Sequence, residues 1–148
     1  ILYIIRELLD FKPESKRTNL QGAIEYLTNV LKKRCTAFVL SDFIDDSDFK
    51  NALTVANRKH DVIAMQVYDR RMEELPDVGL MRVRDAETGH EQWIDTSSKA
   101  LRNAHHAWWM ERQEKLNDIF TRSNVDSVSV RTDQDYVKAL MNLFAKRN

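Results

Sequence analysis

The 148-residue chain holds one cysteine, two prolines and three glycines, and its 23 basic residues equal its 23 acidic ones. Each scarcity excludes something. A lone Cys35 cannot close an intrachain disulfide or build a cysteine-rich zinc site, which fits a reducing, cytoplasmic setting. Zero net charge gives no global attraction to nucleic acid or to an anionic membrane. No apolar run approaches the roughly 20 residues that a membrane-crossing helix needs, and no signal peptide is visible. GxSxG, GxGxxG, P-loop and HEXXH patterns are all absent, which removes the common nucleophile, phosphate-binding and zinc-protease signatures.

Hydrophobic residues make up 43% and charged residues 31% of the chain, the balance of a soluble globule rather than a disordered segment. The length suits one domain over residues 1–148. It opens on ILYIIRELLD, already in a helical pattern and with no initiator methionine. The sequence is therefore read as a piece of a longer protein, truncated at its start.

In that first helix Leu2, Ile5, Leu8 and Leu9 fall at helical spacing, and the pattern stops before Pro13. KPESKRT is a polar loop. Asn19 caps the next helix, LQGAIEYLTNVLKKR, with an apolar stripe of Leu20, Ala23, Ile24, Leu27, Val30 and Leu31. Its basic end, Lys32-Lys33-Arg34, suits the negative pole of the helix dipole. CTAFVLS is a short apolar run of the kind expected of a strand covered on both faces. Ser47 or Asp48 then caps FKNALTVANRKH, and DVIAMQVYD repeats the strand pattern. Helix, strand, helix, strand with short links is the grammar of a parallel sheet built from crossover units.

The rhythm breaks after that. RRMEELPD is a connector of about one helical turn. VGLMRVRD and HEQWIDT flank Ala86-Glu87-Thr88-Gly89, where Gly89 supplies the positive φ of a tight turn. They predict a β-hairpin inserted at about 78–95. A long helix from about Ser98 to Arg122 puts Leu101, Ala104, Trp108, Leu116, Ile119 and Phe120 near one face, and Asn124 ends it in a left-handed conformation. VDSVSVRT is a last strand. Thr132 with Asp135 resembles a capping box for the final helix, whose expected buried stripe is Tyr136, Val137, Leu140, Met141 and Phe144.

The segment FVLSDFIDD concentrates chemistry: an apolar strand ends in Asp42, with Asp45 and Asp46 following. Parallel α/β sheets bind ligands at the carboxyl ends of their strands, where loops converge and helix N-termini point. Asp42 and Asp69 end consecutive strands, and Thr18 lies in the loop before the preceding helix. The plain reading of Asp42 is a solvated carboxylate capping the next turn.

RTNLQGAIEYL followed by FVLSDF resembles the second half of a von Willebrand factor A domain. In that fold a loop threonine and a strand-end aspartate belong to a metal-ion-dependent adhesion site, and Thr18 and Asp42 match those two places. More closely, RELLDFKPESKRTNLQGAIEYL, VLSDF, RKHDVIAMQVYDRRMEELPDVGLMRVRDAETG and QWIDTSS resemble a bacterial von Willebrand A-like family catalogued as domain of unknown function, family fifty-eight. Its members pair with MoxR-type AAA ATPases. The resemblance implies an α/β, Rossmann-type, mostly parallel sheet flanked by helices. It also implies a protein-interaction or adaptor role beside a MoxR-type ATPase, and a Mg2+ site of which Thr18 and Asp42 are part. The Asp-x-Ser-x-Ser loop that carries most of that family's metal ligands has no counterpart in this chain, so the site is incomplete here.

Two alternatives stand beside the adaptor: a metal-assisted hydrolase using Asp42 and Asp69, and a structural module without metal. His105-His106 beside Trp108-Trp109 does not make an i, i+4 ligand pair, because adjacent helical residues point about 100° apart. A half-buried helix with aromatic anchors is the expectation there, with Trp93, Trp108 and Trp109 as interface candidates. Cys35 has no histidine near it in sequence, and His60 reaches it only through the fold, so a buried structural thiol is expected. A sheet truncated at its start leaves an edge open, through which copies are expected to associate.

Overall fold

The computed structural model describes residues 1–13 and 17–147. Residues 14–16 of the expected polar loop lie outside the described residues. The elements run α1 (Leu2–Asp10), α2 (Leu20–Val30), β1 (Thr36–Ser41), α3 (Lys50–Lys59), β2 (Asp61–Tyr68) and α4 (Arg70–Glu73). They continue with β3 (Leu80–Arg84), β4 (Glu91–Asp95), α5 (Lys99–Arg122), β5 (Asp126–Arg131) and α6 (Tyr136–Ala145). No described helix is long and apolar enough to cross a membrane.

Three strands form a sheet in the order β1-β2-β5, and both pairings are parallel. The mixed α/β, parallel-sheet expectation holds. The register sets Ala37 and Val39 beside Val62 and Ala64, and alternation turns all four to one face. There Val62 and Ala64, with Val39 packed against them, join the main core with Leu20 and Ile24 of α2, Leu53 and Ala56 of α3, and Leu116 and Phe120 of α5. Leu53 and Ala56 are completely buried. Helix α6 covers the opposite face beside β5, with Leu143 buried and Phe144 edge-on to Phe38 at 6.4 Å.

Strand β2 is the central strand and reads as an almost unbroken buried run, Val62, Ile63, Ala64 and Gln66. β1 is an outer strand, and the expectation that it is covered on both faces fails. Phe38 remains 45% and Leu40 63% exposed, because a single helix does not reach across that whole side of the sheet. The same shortage of cover corrects α6: Tyr136, Val137, Met141 and Phe144 are exposed and Leu143 is the buried anchor. Helix α1 forms as expected, yet none of its residues is buried.

Caps follow the sequence closely. Asn19 Oδ1 accepts from Gly22 N–H at 2.8 Å. Ser98 accepts from Leu101 N–H, and Asp135, rather than Thr132, from Val137 N–H. α3 departs from expectation, its cap being Phe49 without a side-chain bond, while Asp48 just before it accepts from Lys50 N–H. Asn124 takes φ 52° after α5. α2 stops at Val30 and passes into extended chain at Leu31, so Lys32-Lys33-Arg34 lie beyond the helix rather than on its last turn. On α5 the buried tryptophan is Trp109, packed on Tyr68 with ring centroids 5.1 Å apart, while Trp108 is exposed. A shift of one residue rotates the side chain by about 100°, which decides which of two neighbours meets the sheet.

The hairpin β3–β4 pairs antiparallel, Leu80 with Asp95 through Arg84 with Glu91. Gly89 has φ +72°. Thr96, fully buried, clips the base: its hydroxyl donates to Gly79 O at 2.7 Å and accepts from Val78 N–H at 3.2 Å.

Candidate functional site at the strand ends

Parallel pairing of Ser41 with Gln66 brings the chain out of β1 and β2 on the same rim of the sheet. Immediately after β1 the backbone reverses. Phe43 has φ 56°, a region that bulky residues rarely enter. Its ring is 2% exposed and packs on Phe120 at 5.1 Å and Phe49 at 6.1 Å, and that burial holds the unfavourable backbone in place. The reversal drives Phe43 inward and leaves its neighbour Asp42 exposed at the rim.

The acidic loop is tied down from several directions. Asp42 Oδ1 accepts from Ile44 N–H at 3.0 Å, and Asp42 O accepts from the Gln66 amide at 3.3 Å. Asp45 Oδ2 accepts from Leu20 N–H at 2.7 Å and its Oδ1 from Ser47 N–H at 2.8 Å. Arg112 of α5 reaches the carbonyl oxygens of Phe43 and Asp45. Burial pushes the Asp45 carboxyl up, but the Leu20 and Ser47 hydrogen bonds and the Arg112 charge together outweigh it and hold the group below its ordinary value. The positive N-terminus of α2 is thus already occupied, by Asn19 and by Asp45.

These pieces border a cleft of about 700 Å³ lined by Arg17, Thr18, Asp42, Asp46, Met72 and the hairpin tip at Arg84–Glu87, among others. Thr18 and Asp42, paired by the sequence reading, line this one cleft. The hairpin closes it on the far side: Thr18 N–H donates to Glu87 Oε1 at 2.9 Å. The tip is itself organised by Asp85, whose carboxylate accepts from the N–H and hydroxyl of Thr88 and from Glu87 N–H. Those bonds, Thr88 foremost, lower its pKa. The cleft therefore presents both signs of charge, lined by Arg17 and Arg84 together with Asp42, Asp46, Asp85 and Glu87.

Thr18 and Asp42 offer hard oxygens, the donor chemistry magnesium takes. Asp42 already commits one oxygen to Ile44. Among the described residues no group of three or more His, Cys, Asp or Glu is arranged to hold a metal ion. Two protein ligands suit only an ion that keeps most of its water.

Asp69 is not among the residues lining this cleft. Its Oδ1 caps α4 by accepting from Arg71 N–H at 2.8 Å, and its Oδ2 lies 3.5 Å from the Thr132 hydroxyl. His105 and His106 turn to the main chain, with Nε2 of the first 2.9 Å from Met72 O and Nδ1 of the second 3.3 Å from Glu73 O. They tie α4 to α5. Cys35 and His60, far apart in sequence, meet at the opposite end of β1 and β2, Sγ to Nδ1 at 3.5 Å.

Sequence reasoning missed Gln66, and it named Asp45 and predicted the hairpin without placing either at this cleft. Gln66 left a signal, because a polar residue inside a buried strand needs partners. It finds them in Asp42 O and in the Ser129 hydroxyl, which donates to Gln66 Oε1 at 2.9 Å. Asp45 and Glu87 left none, since each meets its partner only across long stretches of chain.

A family model described as "Protein of unknown function DUF58" matches residues 1–115. Uncharacterized proteins of Mycobacterium tuberculosis and Mycobacterium bovis are each 30% identical over 137 residues, covering 91% of this chain and 42% of theirs. An uncharacterized Mycobacterium avium protein is 27% identical over 135 residues, covering 91% of this chain and 79% of its own. The chain thus spans less than half the length of the first two relatives. No solved structure matches it.

Proposed function

The chain belongs to the DUF58 family of proteins of unknown function, and we propose that it serves as a protein-interaction module rather than an enzyme, docking its partner at the strand-end cleft. The observation that carries this reading is the convergence of Thr18, Asp42 and the hairpin tip on one rim-side cleft of mixed charge. Mixed charge on a fixed rim favours a partner of complementary charge and sets its orientation. The second carboxylate of the hydrolase reading, Asp69, is engaged elsewhere.

In this reading the fold is von Willebrand A-like, supported by the parallel β1-β2-β5 order with helices on both faces. The partner is a MoxR-type AAA ATPase. Thr18 and Asp42 are the two ligands this chain would give to a divalent cation, which when bound would offer a coordination position to a partner carboxylate. The rest of the mechanism belongs to the protein. Asp45, Gln66 and Arg112 hold the loop that presents Asp42, and Glu87 fixes the height of Thr18 against the hairpin.

Calorimetry with Mg2+ or Mn2+ on the full-length protein, beside Asp42→Ala, tests the ion. Heat that the substitution abolishes, without turnover of a phosphoester substrate, supports the adaptor. Turnover supports a hydrolase, and absence of heat leaves docking without an ion. Capture of a MoxR-type ATPase with ATP bound tests the partner, and its repeated failure removes that assignment. A second mode of association is favoured by the outer position of β1 and the exposure of Phe38 and Leu40: edge-to-edge pairing of two copies. A solution mass that stays monomeric at high concentration excludes it.

A further inference from the structure

The face of the sheet under α6 is only half covered. Alternation turns Phe38 and Leu40 of β1 to that face, away from Ala37 and Val39. Phe144 of α6 meets Phe38 edge-on. Val137 and Met141 share the helical stripe of Phe144, at i, i+4 and i+7. All five side chains are exposed. α6 lies along β5, and β1 is two strands away in the order β1-β2-β5, about 10 Å at the spacing of paired strands. Helices packed side by side stand about 8–10 Å apart. The uncovered lane over β1 is therefore one helix wide, with Phe38 and Leu40 as its floor and the α6 stripe as its wall.

Helix α1 has the opposite problem. Its nine residues are LYIIRELLD, and only Arg6, Glu7 and Asp10 are polar. A helix apolar around most of its circumference belongs in an interior, yet no residue of α1 is buried. Among the described residues no other helix or strand packs broadly on it. A helix this short is marginal in water by itself, so its stability depends on cover. One copy of the chain does not bring helix and lane together: Leu2, Leu8 and Leu9 stay exposed on the one, Leu40 and Met141 on the other. The two surfaces fit in size and in charge. α1 is about 14 Å long and β1 about 20 Å. α1 carries one base and two acids, while α6 and its end carry Lys138 and Lys146, both exposed.

We propose that two copies of this chain associate by exchanging α1, each laying the helix in the lane over β1 of the other. The arrangement is two-fold and closed, so it stops at a dimer. About four side chains of α1 and the five of the lane leave water, at roughly 100 Å² each, and symmetry doubles them. The total is on the order of 1,800 Å², against about 1,600 Å² for a stable interface. Glu7 and Asp10 of one copy come beside the basic side chains of α6 in the other, which sets the direction of the helix in the lane. This contact uses the face of the sheet. It leaves the free edge of β1 and the strand-end cleft open, so docking at the cleft is independent of it.

Sedimentation of the 148-residue chain tests the exchange. Interfaces of this area bind at micromolar concentration or tighter, so the wild type should have the mass of two chains at about 100 μM. A single-chain mass there overturns the proposal, whether or not α1 proves protected within its own copy. Leu8→Lys on the helix and Met141→Lys in the lane, both at exposed positions, should each weaken the dimer at least tenfold and leave the urea midpoint of the single chain unchanged. A dimer indifferent to Leu8→Lys pairs by some other surface, the edge of β1 included, and also overturns the exchange. The decisive step mixes the two variants. The intact helix of the Met141→Lys copy meets the intact lane of the Leu8→Lys copy, so the mixture should recover part of the dimer that neither variant forms alone. A mixture no more associated than its components shows that helix and lane do not meet. Because both variants are compared in the same mixture, loss of folding in either one would show in its urea melt and not pass for a lost contact.

Discussion

The main-chain N–H of Thr18 donates to a carboxylate oxygen of Glu87 at 2.9 Å, across 69 positions of sequence. This bond joins the loop before α2 to the tip of the β3–β4 hairpin and defines the far wall of the cleft. It links a candidate ligand to an inserted element that the strand-end logic did not anticipate.

Glu87→Ala should therefore loosen the cleft without unfolding the protein. Amide exchange at Thr18 should speed several-fold, while the urea midpoint stays where it is, because both groups are exposed and water replaces the lost partner. Unchanged exchange at Thr18 means that the hairpin tip is not held there in solution.

Gln66 is a second control point, and its removal should be costly. It is 2% exposed and bridges Asp42 O to the Ser129 hydroxyl. Gln66→Ala removes both bonds and opens a void, for an expected loss of about 2–4 kcal/mol. Ser129→Ala removes one bond and should cost about 1 kcal/mol. Because the two share a contact, the double variant should lose less than the sum. Strict additivity in urea melts rules out the shared network.

Asp45 should make part of the stability acid-sensitive. Its carboxyl lies below the ordinary value when folded, so its contribution is complete above the unfolded value of about 3.9 and fades as pH falls through the folded one. Asp45→Asn should cost about 1–3 kcal/mol at pH 7, the worth of hydrogen bonds to a charged acceptor. The gap to wild type should narrow in melts below about pH 4. A gap of the same size at pH 7 and pH 3 shows that the ionised carboxylate contributes nothing.

Gly22 should resist a substitution that usually stabilises. In an α-helix, Gly→Ala gains about 1 kcal/mol. Here a Cβ would stand 2.7 Å from Asn19 Nδ2 and 3.0 Å from its Cγ and Oδ1, in the side chain that caps α2. Displacing that cap costs about 1 kcal/mol, so Gly22→Ala alone should be near neutral by thermal melt. In an Asn19→Ala background the same substitution should recover its usual gain. A full gain in the wild-type background means that the cap tolerates the crowding.

Much of the architecture was legible along the chain because it depends on neighbours in sequence. The period of 3.6 marked α1, α2 and α5, and the apolar run Val62–Ala64 marked the central strand. Asn19 and Ser98 announced helix starts, and Gly89 announced its turn, since each acts within four residues. The pattern of α6 showed an apolar stripe but not how much of it would be covered. Tyr136, Val137 and Met141 consequently stay exposed where burial was expected. The stripe on α5 named Trp108 where Trp109 is the buried one, because a stripe fixes direction only to within a residue.

Local periodicity and turn chemistry by themselves determined the elements, their order and the parallel sense of the sheet, because those follow from short-range sterics and from which side of each segment avoids water. Only the tertiary structure decided which polar groups meet: Glu87 with Thr18, Asp45 with the start of α2, Gln66 with Asp42 O, and Cys35 with His60. Each of those contacts forms between segments that carry no mark of one another, and each exists because strand register and the reversal at Phe43 fix distances that no stretch of sequence contains.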